Sequence, residues 1–575
     1  MPPSSPPTVK AELLDSRRLT GANLYGSKPG AVIDIAIEGD ADDLIRQWAA
    51  AARELLDATH HGNERVHFRK FSGGASLLIS APIDALYSMC ELNERAWRRA
   101  VACGGETSPD SEEELAGLKK LFVEERRPAL LQLQQAAADH GKPFLWDDDV
   151  ISVGYGKTCQ VWPYEAIPAP AELDWDGIGS VPLALVTGTN GKSTSVRMAA
   201  AIMSAAGVNG GLTSTDFIRV GAEVIETGDY SGTGGARRLL RHPGVEMAVL
   251  EVARGGLLRR GLAVEQADAA LITNVAADHL GEYGIHTVAE LIEAKFIVRR
   301  ALSRQSPLIL NADDNGVADY AEGLENTVWW FSMDAENPRV RDNLGRGLGV
   351  CYVRDGTLFS NAVRGGRNAN DREIIPVDEI SSSRNGIVRH NIRNAMGSAL
   401  LAIALGLPDS SVRQGLRDFR GDESDNPGRG NWFEGRGVRI IVDFAHNEHG
   451  VQSLATTVAA LQATRVVLMM GQAGDRNDEA IIDLTRAGCA MQPDRLLVCE
   501  MPGYERGRMP GEVPELIRKA AVESGMSEVR INTFANPLAA ARDALAGARH
   551  GDVLVFLALT QRQEILQLVH EYIDG

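Results

Sequence analysis

Cysteine is scarce in this 575-residue sequence: Cys90, Cys103, Cys159, Cys351, Cys489 and Cys499 stand alone, no two closer than ten positions. That spacing excludes CxxC zinc and redox motifs and offers no disulfide framework. Positive charge is in deficit, with 59 Lys and Arg against 77 Asp and Glu and a formal net charge of −18. Nucleic acid and anionic membrane both need clustered cations, so neither is an expected partner. Long apolar runs are missing too; none approaches the roughly 20 residues of a bilayer crossing. The opening MPPSSPPTVK has no apolar h-region, so the expected location is the cytoplasm. What is present is a globular balance, 44% hydrophobic and 24% charged, which excludes a mostly disordered or collagen-like chain. At about 150 residues per domain, the length predicts three or four domains.

Residues 1 to about 10 read as a Pro/Ser tail. AVIDIAIE (31–38) alternates like a strand, residues 41–58 have helical spacing, apolar stretches flank Gly73-Gly74 as in a hairpin, and a long helix is predicted over 84–102. GGETSPDSEEE (104–114) reads as an exposed acidic loop leading into another helix. The proline-rich PYEAIPAPAELDWDGIGS (163–180) reads as a linker. Beyond it, VPLALVT (181–187), EMAVLEV (246–252), DAALIT (268–273) and SPLIL (306–310) have the continuous apolar character of buried parallel strands. A second series follows at 438–444, 465–471, 495–500 and 552–559, separated by helical patterns at 448–462, 477–489, 512–524 and 536–547. This alternation predicts parallel sheets with ligands at the carboxyl ends of the strands. The expected organisation is a smaller α+β domain over 1–175, an α/β ATP-binding domain over 176–425 and a Rossmann-like C-terminal domain over 426–575.

Gly188, Thr189, Asn190, Gly191, Lys192, Ser193 and Thr194 lie between a predicted strand and a helix beginning near Lys192. Small residues let backbone wrap a phosphate, and a helix N-terminus offers it free N–H groups. Lys192 can reach β/γ-phosphates and the Ser193 hydroxyl can ligate Mg2+. The strict GxxxxGK[ST] pattern fails, because Val186 stands where its first Gly belongs. Glu251 ends one predicted strand and His279 follows another, so both can project beside that loop and suit a divalent ion. Alone, His279 reads as a hydrogen-bonded loop histidine, and Lys295 as an exposed helical lysine.

Taken together, GTNGKST, the Glu251 strand, TNVAADHL with a downstream AK, NADD (311–314), HNIRNA (390–395), NPGRG (426–430), VDFAHN (442–447) and GQAGDRND (471–478) resemble Mur ligases in kind and order. GDYSGTGGARRLL (228–240), LEVARGGLLRRG (250–261) and RGRMPGEVP (506–514) are most similar to the Mur-like half of cyanophycin synthetases. The resemblance covers roughly 178–575, and SRRLTGANLYGS (16–27) is weakly similar to the N-terminal region of those enzymes. It implies a Mur-ligase-like ATPase domain and C-terminal domain. It also implies that residues 188–194 hold the triphosphate of ATP, that Ser193 and Glu251 hold one magnesium, and that His279 holds a second. Lys295 aligns with the lysine carbamylated in several Mur ligases. Asn391 and Asn394 match nucleotide-pocket asparagines, Arg429 a phosphate-contacting arginine and Asp443 a ribose-binding aspartate; His446 and Asn447 are expected in the same cleft.

The implied reaction is ATP-dependent amide formation. Phosphoryl transfer makes an acyl phosphate from a carboxylate, which a neutral amine then attacks. Lys192, Glu251, His279, Lys295 and Arg429 are the expected catalytic set. Only about 175 residues precede the phosphate loop, too few for an N-terminal domain plus an ATP-grasp module, so one active site is expected. The expected substrates are an amino acid and an aspartyl-type peptide carboxylate, with Asp229 and Glu512 as candidate acids for a cationic substrate. Left open are another peptide, a nucleotide-sugar or a folate acceptor, a non-catalytic peptide-binding scaffold, and homo-oligomer formation.

Overall fold

The computed structural model describes residues 10–39, 41–102, 112–365 and 370–575. The expected tail up to residue 9, Cys103 and most of the acidic loop 104–114 lie outside the described residues.

The N-terminal module is built on an antiparallel sheet of strands Lys10–Leu19, Gly30–Glu38, Gly74–Ser80 and Val66–Phe71, in that spatial order. Successive side chains of a strand point to opposite faces. Ile33, Ile35, Leu77 and Ile79 thus join a core with helices Asp42–Ala58 and Leu86–Ala102, while Leu19, Val32 and Leu78 form a small cluster apart from it. Buried Asn93 links helices to sheet: its amide donates to the carbonyls of Ala31 (3.1 Å) and Leu77 (3.0 Å) and its oxygen accepts from the Trp48 indole (2.8 Å). The strand, helices and hairpin expected here all form. The strand Lys10–Leu19 was not expected, because KAELLDSRRL carries charge on both faces and has no clean alternation. Helices Glu112–Glu125 and Pro128–Asp139 and a three-stranded antiparallel sheet over 144–163 complete the same core.

Seven parallel strands form the centre of an eleven-stranded sheet, in the order Gly210–Thr213, Met247–Glu251, Leu183–Thr187, Ala269–Ile272, Leu308–Asn311, Val328–Ser332 and Val350–Arg354. Two antiparallel strands extend each edge. The four strands expected from apolar runs are neighbours here. Each is apolar throughout because both faces are covered: Leu183, Leu185, Leu250 and Ile272 enter one core, and Ala184, Val186, Val249 and Leu271 the other. Gly210–Thr213 was missed because GGLT carries no apolar run for pattern reading to detect.

The chain leaves Leu183–Thr187 for Gly210–Thr213 and Met247–Glu251 on one side and later returns to Ala269–Ile272 on the other. Such a reversal opens a crevice at the strands' carboxyl ends. A six-stranded sheet, parallel except for its edge strand Asn431–Gly435, lies beyond it. Helices Glu448–Ala460, Asp478–Cys489 and Glu512–Glu523 cover one face, and Pro537–Ala546 and Arg562–Asp574 the other. Among the described residues no helix is long and apolar enough to cross a membrane.

Candidate active site

The strand Leu183–Thr187 ends at Gly188, and the helix Lys192–Ala205 begins four residues later. The intervening turn demands glycine twice. At Gly188 (φ 147°) an added Cβ would lie 1.9 Å from Thr273 Oγ1, and at Gly191 (φ 84°) 2.3 Å from Asn394 Oδ1. The turn is tied to the neighbouring strand's end: Thr189 N donates to Asn274 O (2.8 Å), Asn190 N to Asn274 Oδ1 (3.0 Å), and Thr273 Oγ1 to Asn190 O (2.7 Å). The amides at the helix start face a cleft of about 1410 Å3 between the central sheet and the C-terminal sheet.

Lys192 is half-buried at the cleft floor, its Nζ donating to Thr189 O at 3.0 Å. Burial pushes its ammonium below the ordinary lysine value, against the pull of Glu251 and Asp278. Ser193 Oγ lies 3.3 Å from Thr215 Oγ1. Glu251, at the end of its strand, is 2% exposed, and neither carboxylate oxygen has a hydrogen-bond partner. A buried carboxylate with four open lone-pair sites, lining the same cleft as the Ser193 hydroxyl, is a hard-cation donor set. Asp278, His279 and His446 supply a second, with one ligand atom from each lying within 4.8 Å of the others. These residues fit divalent ions.

Asp278 was not singled out in the sequence, although it stands next to His279. Burial, the largest single influence, raises its carboxyl, but His446, His279 and Arg476 together outweigh it and hold the group well below the usual range. Arg476, from GQAGDRND, pairs with Asp278 at 2.9 Å and donates from Nη2 to His279 Nε2 at 3.0 Å. That bond makes Nε2 the acceptor, so Nδ1 carries the proton and faces Glu282 Oε1 at 3.4 Å; an ion held at Nε2 would take the place of the Arg476 bond. Its hydrogen bond with His279, followed by the Arg254 charge, brings Glu282 down to about 2, with burial opposing.

Lys295 corrects the exposed-lysine expectation. It is 3% exposed, its Nζ donating to Gly188 O at 2.8 Å, because the helix Val288–Lys295 runs back under the phosphate-loop turn. Burial, and then the Lys192 charge, pushes its amine well below the ordinary value.

Across the cleft, Arg429 Nη2 donates to Thr215 Oγ1 (3.0 Å) and its guanidinium lies 4.8 Å from the Phe444 ring centre. Burial raises the Asp443 carboxyl, which accepts from Ala445 N at 2.6 Å. Asn394 Nδ2 donates to Asn391 Oδ1 (3.3 Å), and both line the cleft with Asp443 and His446. Asp216, missed in the sequence, gathers arginines from both sides: Arg197 at 2.5 Å and Arg562 at 3.0 Å. Asn190 and Asn447 exchange amide hydrogen bonds of 3.0 and 3.2 Å across the gap. Asp229 lines the cleft and accepts from Ser231 N and Oγ. Glu512 does not join it; its carboxylate pairs with Arg508 at 2.9 Å, at the start of an outer helix.

A glycine-cradled helix start facing two acidic donor sets, under an opposed α/β layer, defines a phosphate-loop nucleotide-binding protein. Residues 186–402 match the Mur ligase middle domain and residues 428–558 the Mur ligase, glutamate ligase domain. The chain belongs to the Mur ligase family. A cyanophycin synthetase of Crocosphaera subtropica is 35% identical over 338 residues, 59% of this chain and 38% of that protein. Another, from a Nostoc species, is 33% identical over 401 residues, 68% of this chain and 44% of that protein. The chain thus spans less than half the length of these curated relatives. A solved structure of E. coli FolC in complex with DHPP and ADP shares the fold, with a TM-score of 0.50 and 19% identity, covering 68% of this chain and 89% of that one.

Proposed function

We propose that this chain is an ATP-dependent ligase that joins an amino acid to a peptide-type carboxylate, with ADP and phosphate as products. The observation that carries the reading is one cleft in which Lys192, the helix-start amides and unpartnered Glu251 face Asp278, His279 and His446. Ser193 with Glu251, and Asp278 with His279 and His446, would hold Mg2+, which supplies charge neutralisation for phosphoryl transfer. Lys192 and Arg429 place fixed positive charge on the two sides of the triphosphate site. Asp443, Asn391 and Asn394 offer polar groups for the nucleoside. Contacts of Asn447, Arg476 and Arg562 with the central sheet's loops close the cleft and exclude water from a reactive acyl phosphate.

Burial and the Lys192 charge favour the neutral amine of Lys295, the form that adds CO2. A carbamate there would place an anionic oxygen beneath Gly188, and carbamylated Lys295 is part of the proposal. For the acceptor we propose an aspartyl-type carboxylate, as similarity to cyanophycin synthetases leads one to expect, with Asp229 at the cleft wall for a cationic amino acid. The test incubates the protein with ATP, magnesium, Asp-containing peptides and single amino acids, following phosphate release and product mass. Coupling appears as the summed mass less one water. Coupling confined to a nucleotide-sugar peptide or a folate refutes the aspartyl acceptor, and no nucleotide turnover with any pair refutes the ligase.

A further inference from the structure

We infer that the N-terminal sheet, through Arg69, Phe71 and Arg17, positions the loop that carries His279 and Glu282, a role that rests on the function proposed above. That loop is unusual in its backbone. His279 (φ 50°), Gly281 (97°), Tyr283 (54°) and Gly284 (67°) all have positive φ, and two of the four are not glycine. Such a conformation persists only where surroundings over-determine it. The loop's own bonds are few: Gly281 N donates to Ile285 O (2.7 Å) and Ile285 N to Glu282 O (3.1 Å).

Further constraint comes from about two hundred residues upstream in sequence. Arg69 and Phe71 are two apart on the strand Val66–Phe71 and so share a face. Arg69 Nη1 donates to Gly284 O at 2.8 Å, and its Nη2 pairs with Glu290 at 3.1 Å, at the start of the helix that ends in Lys295. Phe71 stacks on His286, ring centres 5.2 Å apart, and lies so close to Gly284 that an added Cβ would sit 2.6 Å from its ring. Arg17 is 8% exposed and held by Asp34 (2.6 Å) and Asp15 (2.8 Å). Its guanidinium lies 5.0 Å from the Tyr283 ring centre, and its Nε donates to Leu258 O at 3.0 Å.

Leu258 belongs to the helix Arg254–Arg260, and that helix holds the loop from the other side: Arg254 donates to His279 O at 2.7 Å and pairs with Glu282. The same helix is tied to the N-terminal segment by backbone bonds, Thr20 N to Arg260 O and Leu262 N to Ala22 O, both 2.7 Å. Both walls of the loop are therefore fixed by one module. None of Arg69, Phe71 and Arg17 lines the main cleft, so they act through the loop as positioning residues.

The experiment compares the full chain with Arg69→Ala, Arg69→Lys and Phe71→Ala. Hydrogen exchange is read at the Gly281 and Ile285 amides without nucleotide or metal, and steady-state turnover is read separately. In Arg69→Ala and Phe71→Ala, exchange at these amides should rise by about tenfold or more, while the strands Gly30–Glu38 and Gly74–Ser80 keep their protection. Turnover should fall by about tenfold with KM for ATP changed by less than about twofold, and Arg69→Lys should recover part of both. Unchanged exchange at Gly281 and Ile285 overturns the inference, as does exchange that rises equally throughout the N-terminal sheet. The exchange measurement needs no activity, so a wild-type chain that turns over no ATP refutes the proposed function and still leaves this inference to be decided by the amides.

Discussion

Glu251→Gln should make the protein more stable without magnesium and less stable with it. Transferring a carboxylate out of water costs several kcal/mol even after relaxation, whereas an unbonded neutral amide costs about 1–3 kcal/mol. Glu251 is 2% exposed with both oxygens unpartnered, and the charge of half-buried Lys192 works against that cost. A net gain of about 1–2 kcal/mol for the isosteric amide follows, or roughly 2–8 °C in melting temperature for a unit of 150–250 residues. With Mg2+ and ATP at about a hundred times their dissociation constant, the wild-type gains about 2.7 kcal/mol, most of which the amide forfeits. Differential scanning calorimetry in EDTA and in saturating Mg-ATP reads both halves. The reasoning fails if the variant melts below wild-type in EDTA, or if Mg-ATP raises both proteins equally.

Lys192→Ala should lower ATP turnover by about 10²-fold or more while the chain still melts cooperatively in EDTA; steady-state phosphate release and calorimetry check it. His279→Ala should raise the magnesium concentration needed for half-maximal turnover by about tenfold, read from a magnesium titration at fixed ATP. For Lys295 the native pKa lies below the unfolded value, so the unfolded state binds more protons and stability rises with pH from the depressed native pKa up to the ordinary lysine value near 10.4. Lys295→Met should flatten that rise in urea melts taken from pH 7 to 10. Carbon-13 NMR with labelled bicarbonate should show a carbamate in the wild-type and none in the variant.

Strands with continuous apolar runs were legible in the sequence because sheets covered on both faces leave no polar alternation. The edge strands and Gly210–Thr213 were not, since short, Gly-rich or charged segments are made strands by their neighbours rather than by their own pattern. The same division holds in the cleft. Lys192, Ser193 and Glu251 sit at a strand end or a helix start, where local pattern predicts direction, and His279 lies in the loop that follows a strand. Asp216 and Arg562 are 346 positions apart, and only the fold brings them together. Asp278 and Arg476 lay inside segments already recognised, yet nothing local says that the two side chains meet. Glu512 misled because its segment resembled the family while its helix start points away from the cleft.

The exchanged amide bonds between Asn190 and Asn447 carry no net charge, unlike the Arg562–Asp216 and Arg476–Asp278 links on either side of them. Added salt screens ion pairs and leaves neutral amide bonds nearly untouched. These ties between the two layers therefore differ in what weakens them: the partly buried ion pairs respond to salt only weakly, and the neutral amide pair hardly at all. The phosphate-loop turn is thus joined to the opposite layer, through Asn190, by a contact that ionic strength leaves in place whatever it does to the pairs beside it.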